Sequence, residues 1–380
     1  MKRGWGVRAA IALVTVAMAA VSASSQPLSA GAHRATAGHG YVPGSAIRAG
    51  APIHGIILAS SNQPLDAVVG DIPRLAADGI NLVSIYVTQY IDSVTADTIH
   101  SGTYTPTDQE LELAISLAHE YGMAVQIAPT VWTVRPYVWR GAYAPSNVNA
   151  FFNSYRTMLD HYATLAQANN VELLSIGSEY ASLERYTGQW ALVAKEARAR
   201  FSGLTTYMAT TQDLFTIPWW KSVDYIGVSP YYPMSYAPRP TYAEAVASWT
   251  KHWFPKIRRI SVKYNRPILF NEIGYLSALG AGARPYQPTT TQPASEQVQG
   301  DLYRALLDAA DSQSWLRGIV FFHWTAPVAA PVDRTYSPRD KLAECVIAEH
   351  WTAPNTPMGI DGRPLICLGG AAATGSALSH

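Results

Sequence analysis

The chain has 380 residues, 48% of them apolar and 14% charged, with a formal net charge of +1. That is ample material for a large core, and the near-neutral balance offers no basic surface for nucleic acid or an anionic membrane. The 11 tryptophans and 22 tyrosines suit either core packing or flat, half-wet stacking surfaces.

Lys2, Arg3 and Arg8 open the chain, and Ala9 to Val21 is apolar apart from Thr15. Val21-Ser22-Ala23 is a small-x-small cleavage pattern, with Leu28-Ser29-Ala30 as a second candidate. Residues 1–30 therefore read as a secretory signal peptide. Its 13-residue apolar segment is too short to span a bilayer. No later segment is long and apolar enough to cross one, so a secreted or cell-wall location is expected, with no membrane association after cleavage. Residues 31–50 are small and polar and are expected to form a flexible linker.

From residue 51 to 340 short apolar runs alternate with helical patterns. The strand candidates are IHGIILAS, NLVSIYVTQY, AVQIAPTVWT, VELLSIGSEY, GLTTYMATTQ, DYIGVSPYYP, RPILFNEIGY and LRGIVFFHWT. Helical patterns lie between them, among them LDAVVGDIPRLAADG and TPTDQELELAISLAHEYG, the latter with Thr105 as the expected cap and Gly122 as the stop. The weakest is DLFTIPWWKS, interrupted by Pro218. Strict alternation means parallel strands joined by crossover helices. Eight repeats predict an α/β fold, a (β/α)8 TIM barrel. The rival, an open doubly wound sheet, usually carries a glycine-rich phosphate loop after its first strand. Here LASSNQPLD follows instead. Residues 341–380 are expected to be an irregular extension, with Cys345 and Cys367, the chain's only cysteines, joined in one disulfide.

Catalytic groups of such a barrel sit where strands end. Glu179 closes strand four and Glu272 closes strand seven, each after a greasy run. Two carboxylates facing each other across an aromatic-lined cleft suit glycosidic cleavage: one protonates the leaving oxygen, and the other meets the anomeric carbon directly or through water. A lone strand-end Glu reads more readily as an ion-pair partner; two at such positions favour catalysis. Tyr231 and Tyr232 end strand six, and either hydroxyl can hold the nucleophile's charge. Trp324 ends strand eight and is expected to floor the cleft as a sugar platform. Trp132, Trp139 and Arg140 fall on a long segment after strand three, from Thr130 to about Ser146, and are expected to meet substrate. The ten histidines form no metal triad, no zinc spacing is present, and no Gly-x-Ser-x-Gly elbow supports a serine esterase. No metal and no cofactor is expected.

With TPTDQELELAISLAHEYGMAV, WRGAYAPS followed by FFNSYRTMLDHYATLA, LLSIGSEYASLE, DYIGVSPYYPM and LFNEIGYLS in one order, the chain resembles glycoside hydrolase family 113, β-mannanase-like barrels of clan GH-A, from Gly55 to about Pro327. The resemblance implies a retaining mechanism, with Glu179 as acid/base and Glu272 as nucleophile. It also implies that Tyr231 is the strand-six tyrosine and that Trp139-Arg140-Gly141 is the family's loop motif. Ser178 stands where many clan members carry an Asn that contacts the sugar hydroxyl at the second carbon, and the resemblance implies that it binds substrate. Ala128 and Thr130, and later Thr210 and Thr211, depart from the family pattern near the cleft. The expected function is thus a secreted, monomeric, retaining glycosidase acting on β-linked polysaccharide, with mannan as the family default. The alternative is a non-catalytic carbohydrate-binding or cell-wall protein on the same scaffold. Glycan binding without hydrolysis would distinguish it.

Overall fold

The computed structural model describes residues 44–58, 63–134, 136–287, 290–328 and 332–352. The expected signal peptide, the expected linker up to residue 43 and Cys367 lie outside the described residues. Among those described, β1 (Ile53–Leu58), β2 (Leu82–Ile91), β3 (Ala124–Thr133), β4 (Leu173–Ser178), β5 (Leu204–Ala209), β6 (Tyr225–Val228), β7 (Ile268–Ile273) and β8 (Leu316–Trp324) close into a barrel in chain order. Every neighbouring pair is parallel, β8 against β1 included. The expected (β/α)8 fold is the one observed.

The helices are α1 (Ser45–Ala49), α2 (Asp66–Val69), α3 (Ile72–Ala77), α4 (Asp108–Glu120), α5 (Val148–Ala168), α6 (Thr187–Arg200), α7 (Tyr242–Ala247), α8 (Phe254–Tyr264), α9 (Glu296–Ala310) and α10 (Leu342–Trp351). The pattern LDAVVGDIPRLAADG splits into α2 and α3 on either side of Gly70. Between β5 and β6, where Pro218 interrupts, there are only short 3-10 turns at Asp213–Phe215 and Trp220–Ser222. The cap of α4 is Thr107 rather than Thr105. Its hydroxyl accepts from the Glu110 N–H while Glu110 reaches back to the Thr107 N–H, which satisfies two orphan donors together. Thr105 instead donates to the Thr88 carbonyl at 2.6 Å.

Two apolar layers follow from the two faces of each strand. Ile53, Ile57, Leu82, Ala124, Leu173, Met208, Leu269 and Val320 fill the barrel interior. Their strand neighbours, such as Ile56, Val83, Val125, Leu174 and Phe270, pack outward with the helices. Most of the aromatic complement belongs to this outer layer: Trp190, Trp220 and Trp249 are fully buried.

Two expectations are corrected at the chain ends. Residues 44–50 are not linker. Ile47 is buried with the barrel-interior residues, and the Arg48 guanidinium donates to the Asn170 and Val171 carbonyls at 3.1 Å. Arg317 donates to the Ile47 and Gly50 carbonyls. One apolar side chain and two arginines are enough to dock this short helix. At the other end, the extension opens with a regular helix: α10 buries Ala343, Val346, Ile347 and Ala348. Arg74 of α3 clamps it by bonding both Glu344 oxygens at 2.6 and 2.8 Å, a bidentate pairing.

Candidate active site

The two glutamates stand at the C-terminal ends of their strands. Glu272 is the fifth residue of β7 and is 8% exposed. Glu179 directly follows β4, with φ at 55° and its N–H donating to the Met208 carbonyl at 2.7 Å. A non-glycine residue in the left-handed region is strained, and such strain persists where surrounding structure holds it. Here the turn holds the Glu179 side chain at the barrel mouth, where Trp139 and Arg140 reach it.

Donors surround both carboxylates. Tyr86, from β2, donates to Glu272 Oε2 at 2.6 Å, and Tyr231 donates to Oε1 at 3.0 Å. Trp139 Nε1 donates to Glu179 Oε2 at 3.1 Å, and Arg140 Nη2 approaches the same oxygen at 3.4 Å. Glu179 Oε1 accepts from no described residue. Burial first, then the Glu179 charge, pushes the Glu272 pKa up to about 7, against the pull of Arg140, Tyr86 and Tyr231. Burial lowers the Arg140 pKa, but the charges of Glu179 and Glu272 more than reverse this and keep the guanidinium protonated.

Arg140 is itself held rigidly. Its Nε donates to the Ser178 carbonyl at 2.7 Å and its Nη2 to the Ser178 hydroxyl at 2.9 Å. Ser178 is fully buried, so the expected contact with a sugar hydroxyl is corrected: Ser178 holds Arg140. The guanidinium carbon lies 5.5 Å from the Trp132 ring centre, a cation–π distance. Trp132 belongs to β3 rather than to the loop after it, and its Nε1 donates to Thr130 at 3.1 Å. Its half-buried ring leans on the exposed Tyr137 at 4.9 Å. Trp139 is 42% exposed and offers an open ring beside Glu179. Gly141 makes that placement possible, since a Cβ there would sit 2.2 Å from the Trp139 ring.

Of the two strand-six tyrosines, only Tyr231 reaches a carboxylate. Tyr232 stacks on Trp253 at 4.0 Å and donates to the Thr211 carbonyl. Trp324 is the larger correction. It is 1% exposed, its Nε1 donates to Asp71 at 3.0 Å, and the Arg74 and Arg339 guanidinium carbons lie 5.3 and 5.4 Å from its ring. It cannot floor the cleft. Ile56 pairs with Phe321 but Leu58 with Trp324, so β8 carries one residue more than β1 over this stretch. Such a bulge reverses the alternation beyond it and turns Trp324 to the outer layer. Phe322, half-buried and packed against both layers, meets Tyr336 at 5.4 Å, and Tyr336 meets Tyr231 at 6.3 Å. Sequence reasoning missed Tyr86, Phe322 and Tyr336. Tyr86 gave no local signal, being one tyrosine in the middle of a buried strand.

The sequence profile of Glycoside Hydrolase Family 113 matches residues 65–341. Among solved structures, a β-1,4-mannanase of that family is similar with a TM-score of 0.71 and 23% identity, over 79% of this chain and 99% of its own. The family 113 β-mannanase of Alicyclobacillus acidocaldarius gives a TM-score of 0.71 and 25% identity, over 79% and 97% of the two chains. A family 5 mannosidase from Rhizomucor miehei, with a TM-score of 0.56 and 11% identity over 79% and 92%, shares the fold. No curated protein sequence matches.

Proposed function

The chain belongs to glycoside hydrolase family 113, as a match from residue 65 to 341 shows, and on that premise we propose that this glycoside hydrolase cleaves mannan-type β-linked polysaccharide by a retaining, two-step route. Glu272 is the nucleophile and Glu179 the acid/base. The observation that carries the assignment is the unequal donor set. Both oxygens of Glu272 accept a tyrosine hydroxyl, which favours its anion. Both donors to Glu179 converge on Oε2, so Oε1 stays open toward a leaving oxygen.

In the first step a Glu272 oxygen attacks the anomeric carbon, the glycosidic C–O bond breaks, and the Glu179 proton passes to the leaving oxygen. Tyr86 and Tyr231 hold the nucleophile in line, and Arg140 stabilises charge on the pair. In the second step water attacks the glycosyl-enzyme ester, Glu179 takes the water's proton, and Glu272 leaves as carboxylate. Trp139 and Trp132 supply aromatic faces for the sugar chain.

The test is Glu272→Ala on an activated aryl β-mannoside. Activity falls by orders of magnitude, and azide restores turnover with inverted product. Glu179→Ala retains the activated substrate but loses polysaccharide. Alanine variants with wild-type rates would sink the assignment. Products released from β-mannan, glucomannan, β-glucan, xylan and arabinan identify the sugar. Glycan binding without cleavage of any of these would favour a binding protein instead.

The proposal extends to export and assembly. The basic start, apolar segment and cleavage patterns support secretion, and the two-cysteine composition supports a Cys345–Cys367 bridge. Mass spectrometry of the mature protein from culture medium, with thiol titration, tests both. A monomer is proposed, and light scattering tests it.

A further inference from the structure

Within five residues of Glu272 and of Tyr231 the chain runs into the walls of a second cavity. It has a volume of about 300 Å³ and is lined by Tyr236 and Pro238 from the loop after β6 and by Leu276, Arg284, Gln287 and Gln292 from the loop after β7. That size is at the lower end of the range for small-molecule sites.

Three features point to one kind of occupant. Tyr236 is 82% exposed, a large ring with no packing duty and a flat face for a sugar. The Arg284 guanidinium makes no hydrogen bond or ion pair to any described residue, so its charge has no structural task. The loop that carries it is nevertheless anchored: the single hydroxyl proton of Tyr336, whose ring meets Tyr231, is shared between the Pro285 carbonyl and the Gln287 carbonyl, the latter at 2.6 Å. An anchored loop presents its arginine at a lower ordering cost on binding. Residues 229–243 and 273–295 carry Arg239 and Arg284 and no Asp or Glu, in a chain with 27 acidic residues.

We propose that this cavity is an accessory subsite for a uronate residue of the polysaccharide chain, with Tyr236 stacking on the sugar ring and Arg284 pairing with the carboxylate. A guanidinium fork matches a planar carboxylate in two parallel hydrogen bonds. The unopposed positive loops draw such chains toward the mouth. The inference rests on the reading that the Glu179–Glu272 centre cleaves a polysaccharide, and it deepens that reading by naming a substituent.

The experiment compares a β-1,4-linked manno-oligosaccharide bearing one uronate with its carboxyl-reduced counterpart. Wild type prefers the uronate chain, by up to about fivefold in kcat/KM for one exposed ion pair, and high salt shrinks the preference. Arg284→Ala abolishes the preference and Arg284→Lys restores part of it. Tyr236→Ala lowers kcat/KM for both chains alike, because stacking does not sense charge. A wild-type ratio near one, or a ratio that Arg284→Ala leaves unmoved, overturns the proposal. If neither chain is cleaved, the functional reading fails separately. Calorimetric binding of the same two oligosaccharides to wild type and Arg284→Ala then decides the subsite: selective loss of uronate affinity supports it, and equal affinities overturn it.

Discussion

Tyr86→Phe isolates a single hydrogen bond at the proposed nucleophile, Glu272. The Tyr86 hydroxyl donates to Glu272 Oε2 at 2.6 Å in a fully buried setting, against 3.0 Å for Tyr231. Phenylalanine keeps the ring in the barrel interior, so the fold survives. A hydrogen bond to a charged acceptor contributes about 1.5–3 kcal/mol. At about 1.4 kcal/mol per pKa unit, its loss raises the Glu272 pKa by roughly 1 to 2 units. The assay is the pH profile of kcat/KM on an aryl β-mannoside. The acidic limb moves up by about 1 to 2 pH units, and activity one unit below the wild-type limb falls roughly ten- to hundredfold. Tyr231→Phe moves the limb in the same direction by less, because its bond is longer. A fully folded Tyr86→Phe enzyme whose acidic limb stays at the wild-type position would refute the claim that Tyr86 holds the nucleophile's charge.

Glu272→Gln reads the same burial as stability. The Glu272 pKa is raised from 4.5 to about 7 in the folded state, so the folded chain binds more protons than the unfolded chain between those values. Wild type therefore loses stability as pH rises through that window, and the penalty is complete above it. The variant does not titrate there. Its stability advantage in denaturant melts should grow by on the order of 3 kcal/mol between pH 4 and pH 8. Gly141→Ala puts a methyl 2.2 Å from the Trp139 ring, displaces it from Glu179, and lowers kcat/KM about tenfold for one charged hydrogen bond; unchanged kinetics would contradict the role given to Trp139. Trp324→Ala empties a fully buried site and costs about 3–5 kcal/mol in chemical denaturation, with KM for polysaccharide little changed. A large rise in KM without loss of stability would return Trp324 to the cleft.

The barrel was legible from local pattern. Eight apolar runs separated by helical periods specify parallel strands with crossovers, and a carboxylate at the end of a buried run marks the catalytic end of its strand. Both signals lie within about ten residues of one another in the chain, which is why Glu179, Glu272 and Tyr231 could be named from the sequence. The end segments were misread because docking depends on what a segment meets. Ile47 and Arg48 look like linker until Asn170 and Val171 are beside them, and α10 is a regular helix because it packs its apolar face beside α9.

Sequence alone determined the fold class and which residues stand at strand ends. Tertiary structure decided which of them meet. Tyr86 and Glu272 are 186 residues apart in sequence, and only barrel closure and its register bring them into bonding contact. One extra residue in β8 reversed the direction of Trp324. The physical reason is that strand period encodes burial, whereas convergence at a site is set by long-range pairing and local bulges that no short window contains.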